Sequence, residues 1–343
     1  MANAPASAAT SREAALAFGL LCLVAAVLLV AFLSITVGAR PMTLETVWSA
    51  LAAFNPGSTE HRIVWDLRLP RTAIGLAVGA ALGLSGAVLQ GATRNPLADP
   101  SILGIHSGAA VLVVLGVAVF GITQLSLYVW LGFIGAGVAM LVVYAVASLG
   151  REGATPIKLA LAGAAVTAAM QSVTSAILLT SPRTLDEIRF WQVGSLSGRD
   201  MDIFVQVAPF LATGIVLALA TGRRLDGLSM GEDVARALGQ NVDRSRAMAG
   251  LAAVILAGAA TAAAGPIAFV GLTVPHVARA ITGPNYRWIL PYSMLLAPIL
   301  LLGADVIGRI IAPPGEVQVG IVTAFLGAPV FIALVRRRKL ATL

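Results

Sequence analysis

Eight long apolar runs, punctuated by arginines, constrain this chain more than any other feature. They lie near Ala15–Val37, Thr72–Gly91, Ile105–Gly121, Tyr128–Ser148, Ile157–Thr180, Ile203–Thr221, Trp288–Ile311 and Val319–Val335. A helix needs about 20 such residues to cross the hydrocarbon core of a bilayer. A soluble fold has no use for so much apolar surface: 58% of the 343 residues are hydrophobic and only 11% charged, against about 25% charged in soluble domains. The chain is therefore read as an all-α integral membrane protein forming a single domain over residues 1–343.

A ninth apolar stretch, Ala247–Ile281, has 35 residues. As one helix it would reach roughly 50 Å, well beyond a hydrocarbon core of about 30 Å. It also contains Gly265-Pro266, a helix breaker. It is read as two spans, for ten in all. Parity agrees. The loop at about 222–246 holds Arg223, Arg224, Arg236, Arg244 and Arg246, and the chain ends Arg336-Arg337-Arg338-Lys339. The positive-inside rule puts both in the cytoplasm, so an even number of spans separates them. Six spans precede the loop, which places the N-terminus inside as well. Fifteen of the 23 Lys and Arg, including Arg12, Arg94, Arg151, Lys158, Arg279 and Arg287, then lie inside and eight outside. This placement explains the net charge of +7 without a nucleic-acid partner. No signal-peptide cleavage pattern is apparent, and the first run is long enough to stay as a helix.

The spans lack the groups that transport coupling or catalysis would need. Asp305 is the one carboxylate within a run, and it is read as a helix-end partner for Arg309 at i+4. Ion-coupled transporters keep buried acids or histidines along their pathway. His106 and His276 are read as packing or capping residues, and the lone Cys22 forms no disulfide or thiolate cage. Neither lysine, Lys158 nor Lys339, follows a phosphate-cradling glycine loop. No nucleophile elbow or H-E-x-x-H is present. The chain is read as having no catalytic residue, metal site or bound cofactor, so energy for uphill movement must come from another chain. Gly75, Gly79 and Gly83 recur every fourth residue in the second span, with Gly86 alongside. Such a stripe lets helices approach closely or lines a path with no sticky groups. In the fifth span Thr167, Gln171 and either Thr174 or Ser175 share a face. They either bond neighbouring helices or line a wet cavity.

Four segments carry a resemblance. They are Arg68-Leu69-Pro70-Arg71, then Arg94-Asn95-Pro96-Leu97-Ala98-Asp99-Pro100-Ser101, then Gly265-Pro266-Ile267-Ala268-Phe269-Val270-Gly271-Leu272 leading to Pro275-His276, then Val319 to Phe331 with its Gly327-Ala328-Pro329. In this order they resemble the FecCD family of ABC-importer permeases, which includes vitamin B12 and ferric-siderophore permeases; the likeness runs from about Arg68 to Arg337. It implies a type II importer architecture of ten spans and a second permease subunit, identical or similar. It also implies two cytoplasmic ATPase subunits carrying ATP and Mg, an extracytoplasmic binding protein, and a place in the bacterial inner membrane. The implied cargo is a metal chelate, a ferric siderophore first, cobalamin or heme next. A non-transporting membrane sensor or scaffold is the alternative, and an ion-coupled secondary transporter comes third. A weaker internal echo, Gly79-Ala80-Ala81 with Gly86 against Gly258-Ala259-Ala260 with Gly265, fits inverted repeats.

The resemblance also assigns roles. Arg68, Arg71 and Arg309 match arginines that receive acidic residues of the binding protein; otherwise they snorkel to headgroups. Asn95 and Leu97 match a cytoplasmic gate, where local physics asks only that Asp99 cap the third helix with Pro100 in its first turn. In the loop, Ser229-Met230-Gly231-Glu232 has the form of a capping box, and Gly239 is a plausible helix stop. The short helix between them would set Leu228, Val234, Ala235 and Leu238 near one side, with Glu232 and Arg236 at i and i+4. Alone it is either an interfacial helix or a partner contact. The resemblance makes it the element that couples to the ATPase, through Gly231, Glu232, Ala235, Arg236, Leu238 and Gly239.

Overall fold

Apolar periodicity without β-strand alternation gives helices, and the computed structural model contains no strand among its described residues, 6–149, 155–313 and 315–336. Arg151 and the tail Arg337, Arg338 and Lys339, all used in the topology argument, lie outside them. In chain order the helices are α1 (Ala6–Thr36), α2 (Leu44–Ala52) and α3 (Thr59–Arg62), which runs through a π-helical turn (Ile63–Arg68) into α4 (Leu69–Thr93). A 3₁₀ turn (Pro100–Leu103) leads to α5 (Ile105–Phe120), α6 (Leu125–Ala147), α7 (Pro156–Thr180), α8 (Pro182–Gln192) and α9 (Met201–Ala220). Then follow α10 (Gly222–Ser229), α11 (Glu232–Ala237), α12 (Val242–Ala264), α13 (Val270–Thr282), α14 (Tyr286–Ile311) and α15 (Val319–Arg336).

Among the described residues seven helical stretches are long and apolar enough to cross a membrane, and α5 and α15 are shorter apolar helices. With α13 they make ten. The stretch read as two spans does break at Gly265-Pro266, but its second half is unusual. The 13 residues of α13 rise only about 20 Å, and the non-helical Gly265–Phe269 segment precedes them. Bare backbone at membrane depth survives only where protein covers it. Here Ser195 N–H donates to Ala264 O at 2.7 Å, and Gly265 takes a left-handed φ of +76°.

Buried α4 occupies the centre and packs against α14, α12, α13 and α9. The glycine stripe serves this packing. A Cβ on Gly79 would stand 2.6 Å from Pro298 Cα of α14, and Gly86 faces the Gly271 carbonyl of α13 in the same way. The stripe therefore lines no path in this conformation. The two halves of the internal echo, in α4 and α12, pack against each other.

Cross-chain bonds sort the helix ends into two faces. One holds the ends of α1 and α14, joined to the start of α4 through Arg68, Arg71 and Arg309. The opposite face holds the start of α1, where Arg12 donates to Thr282 O of α13. It also holds the end of α4, where Arg246 of α12 donates to Ala92 O. Among these spans α1, α12 and α14 thus run one way and α4 and α13 the other.

Replacing Gly79 with Val should cost about 1–3 kcal/mol or more, because backbone stands where the side chain would go. Gly303→Ala, on open space in the same bundle, should be tolerated. Melting of the two purified variants in detergent checks this: the first should lose several degrees and the second should match the parent.

Candidate docking and coupling faces

On the face that holds the end of α1, three arginines converge. The π-helical turn, closed by Leu69 N–H donating to Val64 O, adds a residue ahead of α4 and leaves Arg68 buried. Its guanidinium donates to Ile35 O at 2.8 Å, Thr36 O at 2.6 Å and Arg40 O at 2.6 Å. Cations suit helix C-termini, where carbonyls lack partners. Arg309, 2% exposed, reaches the same terminus, donating to Ser34 O at 2.6 Å and Val37 O at 3.0 Å. Its Nε meets Asp305 Oδ2 at 3.0 Å. The i+4 pairing expected for Asp305 is present, but it is only half of what that carboxylate does. Arg71 forks onto Asp305 at 3.0 and 2.7 Å and also reaches Glu316 at 2.7 Å.

None of the three expected docking arginines stands free at a surface: Arg68 is tied to carbonyls at the end of α1 and at Arg40, and Arg71 and Arg309 share Asp305. Together they wall an open cavity of about 240 Å³ with Arg40, Arg199 and Glu316. Arg199 was not singled out in the sequence. It lies in the α8–α9 loop, is buried, and makes one long bond to Ser195 O at 3.4 Å. Burial pushes its pKa down to about 10, against the pull of Asp200 and Tyr128; it remains a cation at neutral pH. The cavity wall therefore carries more positive than negative charge.

The opposite face holds the loop. Helix α10 continues almost directly from α9 and ends at Ser229. The capping box is absent: Ser229 Oγ donates back to Asp226 O at 2.7 Å. The reason is that Ser229 lies in the last turn of one helix, and Gly231, with φ +114°, starts the next. Gly239 does adopt the left-handed geometry of a stop, φ +79°. Glu232 meets Arg236 at 3.5 Å and Arg246 at 2.6 Å. The expected apolar side splits. Leu228 and Ala235 are buried, whereas Met230 (64%), Val234 and Leu238 (69%) point outward.

Beside the loop, Arg94 ends α4 in a left-handed turn. Asn95 spends its side chain locally, accepting from Leu97 N–H at 2.9 Å, and Leu97 is partly exposed. Asp99 accepts from Ser101 N–H at 2.9 Å, so it caps the 3₁₀ turn rather than α5 itself. His276 Nε2 donates to Pro96 O at 2.7 Å, tying α13 to the turn. On α7 the polar face divides. Thr174 is buried and bonds Met170 O, and Thr167 receives Ser107 Oγ at 3.4 Å. Gln171 and Ser175 are exposed.

Residues 26–337 match the model of the FecCD transport family. The chain belongs to that family. The FecCD match spans both faces just described. Among its relatives, a ferric enterobactin transport system permease protein of Escherichia coli is 46% identical, covering 89% of this chain and 91% of its own. A siderophore transport system permease protein of Bacillus subtilis is 42% identical over 93% and 95%. A solved structure, described as an inward-facing conformation of a metal-chelate type ABC transporter, superposes with a TM-score of 0.80 at 28% identity. It covers 93% of this chain and 98% of its own.

Asp305→Asn should leave Arg71 and Arg309 without their shared charge at a site that is 1% exposed. Removing one partner of a buried pair costs about 3–5 kcal/mol. Ser34→Ala, which removes one hydroxyl contact to Arg309, should cost about 1 kcal/mol. Thermal melting of both variants, scored against the parent, tests this order.

Proposed function

We propose that this chain is the membrane-spanning permease subunit of an ATP-driven importer for a ferric siderophore. The observation that carries the reading is the pairing of two unlike faces in one FecCD-family bundle: a cavity walled by arginines on one, and an apolar, exposed loop on the other. Siderophore and enterobactin permeases among the relatives support that cargo. On this reading the cavity receives an acidic side chain of an extracytoplasmic binding protein. Met230, Val234 and Leu238 dock on a cytoplasmic ATPase subunit, which holds ATP and Mg. The Asn95–Leu97 turn closes the path, and the exposed face of α7 with Gln171 and Ser175 meets a second permease subunit or the cargo. The chain does no chemistry of its own; it sits in the bacterial inner membrane with both termini in the cytoplasm.

Reconstitution with the cognate ATPase and binding protein tests the proposal. Uptake of a radiolabelled ferric siderophore should require ATP and the loaded binding protein. Uptake that follows a proton gradient without ATP would sink it.

Two variants separate the faces. Arg199→Gln removes a cavity cation that is in none of the ion pairs holding the helices together. It should weaken binding-protein association about tenfold or more and flatten its salt dependence, with basal ATP hydrolysis intact; titration at two ionic strengths reads this. Leu238→Glu alters an exposed side chain, so folding should survive. Stimulation of ATP hydrolysis by the loaded binding protein should be lost, while binding-protein affinity stays at the parent value.

A further inference from the structure

A second cavity lies on the loop face, where α9 gives way to α10 and α14 begins. It has a volume of about 390 Å³ and is lined by Leu219, Arg223, Tyr286, Arg287, Leu290 and Pro291, among others. Gly222 also lines it and packs against Tyr286, Arg287 and Leu290 of α14. Arg223 and Arg287 are both exposed, and among the described residues neither guanidinium has a hydrogen bond or ion pair. Other arginines of the same face are tied down: Arg246 to Glu232, Arg279 to the Tyr286 hydroxyl, Arg12 to Thr282 O. Asp226, whose charge acts on Arg287 without a direct ion pair, accepts from Tyr286 N–H at 2.6 Å and does not line the cavity.

Apolar surface continues from the cavity along α9, where Leu219 and Val216 (67%) are exposed. Both α9 and α14 are apolar enough to span a membrane, so this surface lies at acyl-chain depth and the two arginines at headgroup depth. Basic pockets between spans at a membrane surface suit anionic headgroups. Bidentate contact with phosphate oxygens suits arginine in particular.

We infer that this cavity is a binding site for an anionic phospholipid, with Arg223 and Arg287 holding the phosphodiester and the exposed apolar face of α9 at Leu219 and Val216 meeting an acyl chain. The site depends on the membrane setting of α9 and α14 and not on the cargo. A soluble protein partner would have no use for the exposed apolar side chains of α9 below the arginines.

The test compares the full chain with Arg223→Gln/Arg287→Gln and with Arg244→Gln, an exposed arginine outside the cavity. Each is placed in nanodiscs of phosphatidylcholine with graded phosphatidylglycerol, and retained lipid is read by native mass spectrometry and melting by fluorescence. The parent and Arg244→Gln should retain phosphatidylglycerol and melt higher as its fraction rises. The double variant should need about thirtyfold more of it for the same retention, at about 1 kcal/mol per arginine, and should melt like the parent in pure phosphatidylcholine. Equal retention by the double variant would overturn the inference, as would an equal loss in Arg244→Gln. So would stabilisation of the detergent-solubilised parent by inorganic phosphate alone, which would make it a free-anion site. Weakened ATPase association in the double variant with lipid retention unchanged would assign the arginines to that partner instead.

Discussion

Asp305 holds together parts of the chain that sequence distance keeps far apart. Its carboxylate joins Arg71 at the start of α4 to Arg309 at the end of α14, and those cations extend to Glu316 and to the carbonyls ending α1. Charge at the edge of a bilayer is expensive unless fully bonded. Here Asp305, Arg71 and Arg309 each have several partners, and the carbonyls of α1 that would otherwise lack donors gain them. Helix α1 packs little of its length against the rest of the chain, so it depends on such anchors. Its other end has two more, Arg12 on Thr282 O and the Tyr292 hydroxyl on Leu16 O.

Helix α4, which supplies Arg71 and follows directly on Arg68, ends at the Asn95 turn. Along the way Gln90 donates to Leu272 O at 3.1 Å, and His276 grips Pro96 from the same helix, α13. Glycines hold α4 in backbone contact with α14. A bundle packed this closely moves as blocks rather than bending locally. The cavity on one face and the turn and loop on the other are therefore parts of one body, α4 being its spine.

How much of this the sequence disclosed depended on the kind of force at work. Apolar run length set the spans, and the Gly265-Pro266 break was legible because both residues resist helix. Gly239 was legible for the same reason. The i+4 pair of Asp305 and Arg309 was legible as well, but the remaining destinations of the three arginines were not: Arg71 meets Asp305 from 234 residues away, Arg68 and Arg309 reach carbonyls at the end of α1, and no local pattern encodes these. The Ser229 pattern misled because S-x-x-E fits a helix start and also a serine in the last turn of a preceding helix. On α7 the spacing put Thr167, Gln171 and either Thr174 or Ser175 together. Which part of that face is covered depends on the neighbours α5 and α6, and the covered sector takes the threonines and leaves Gln171 and Ser175 out.

The π-helical turn before α4 has a consequence for how this protein tolerates change in length. Each residue of a helix advances about 100° around its axis. Deleting one residue from Ile63–Arg68 would rewind the turn as ordinary α-helix and rotate everything before it by that angle against α4. Trp65, whose indole N–H reaches Ala50 O at 2.7 Å, would swing off α2, and α2 with α3 would lose their seat. Surface loops elsewhere in the chain absorb an added or missing residue at little cost. This segment has no such slack, and among descendants of this sequence its length should drift far less than its composition.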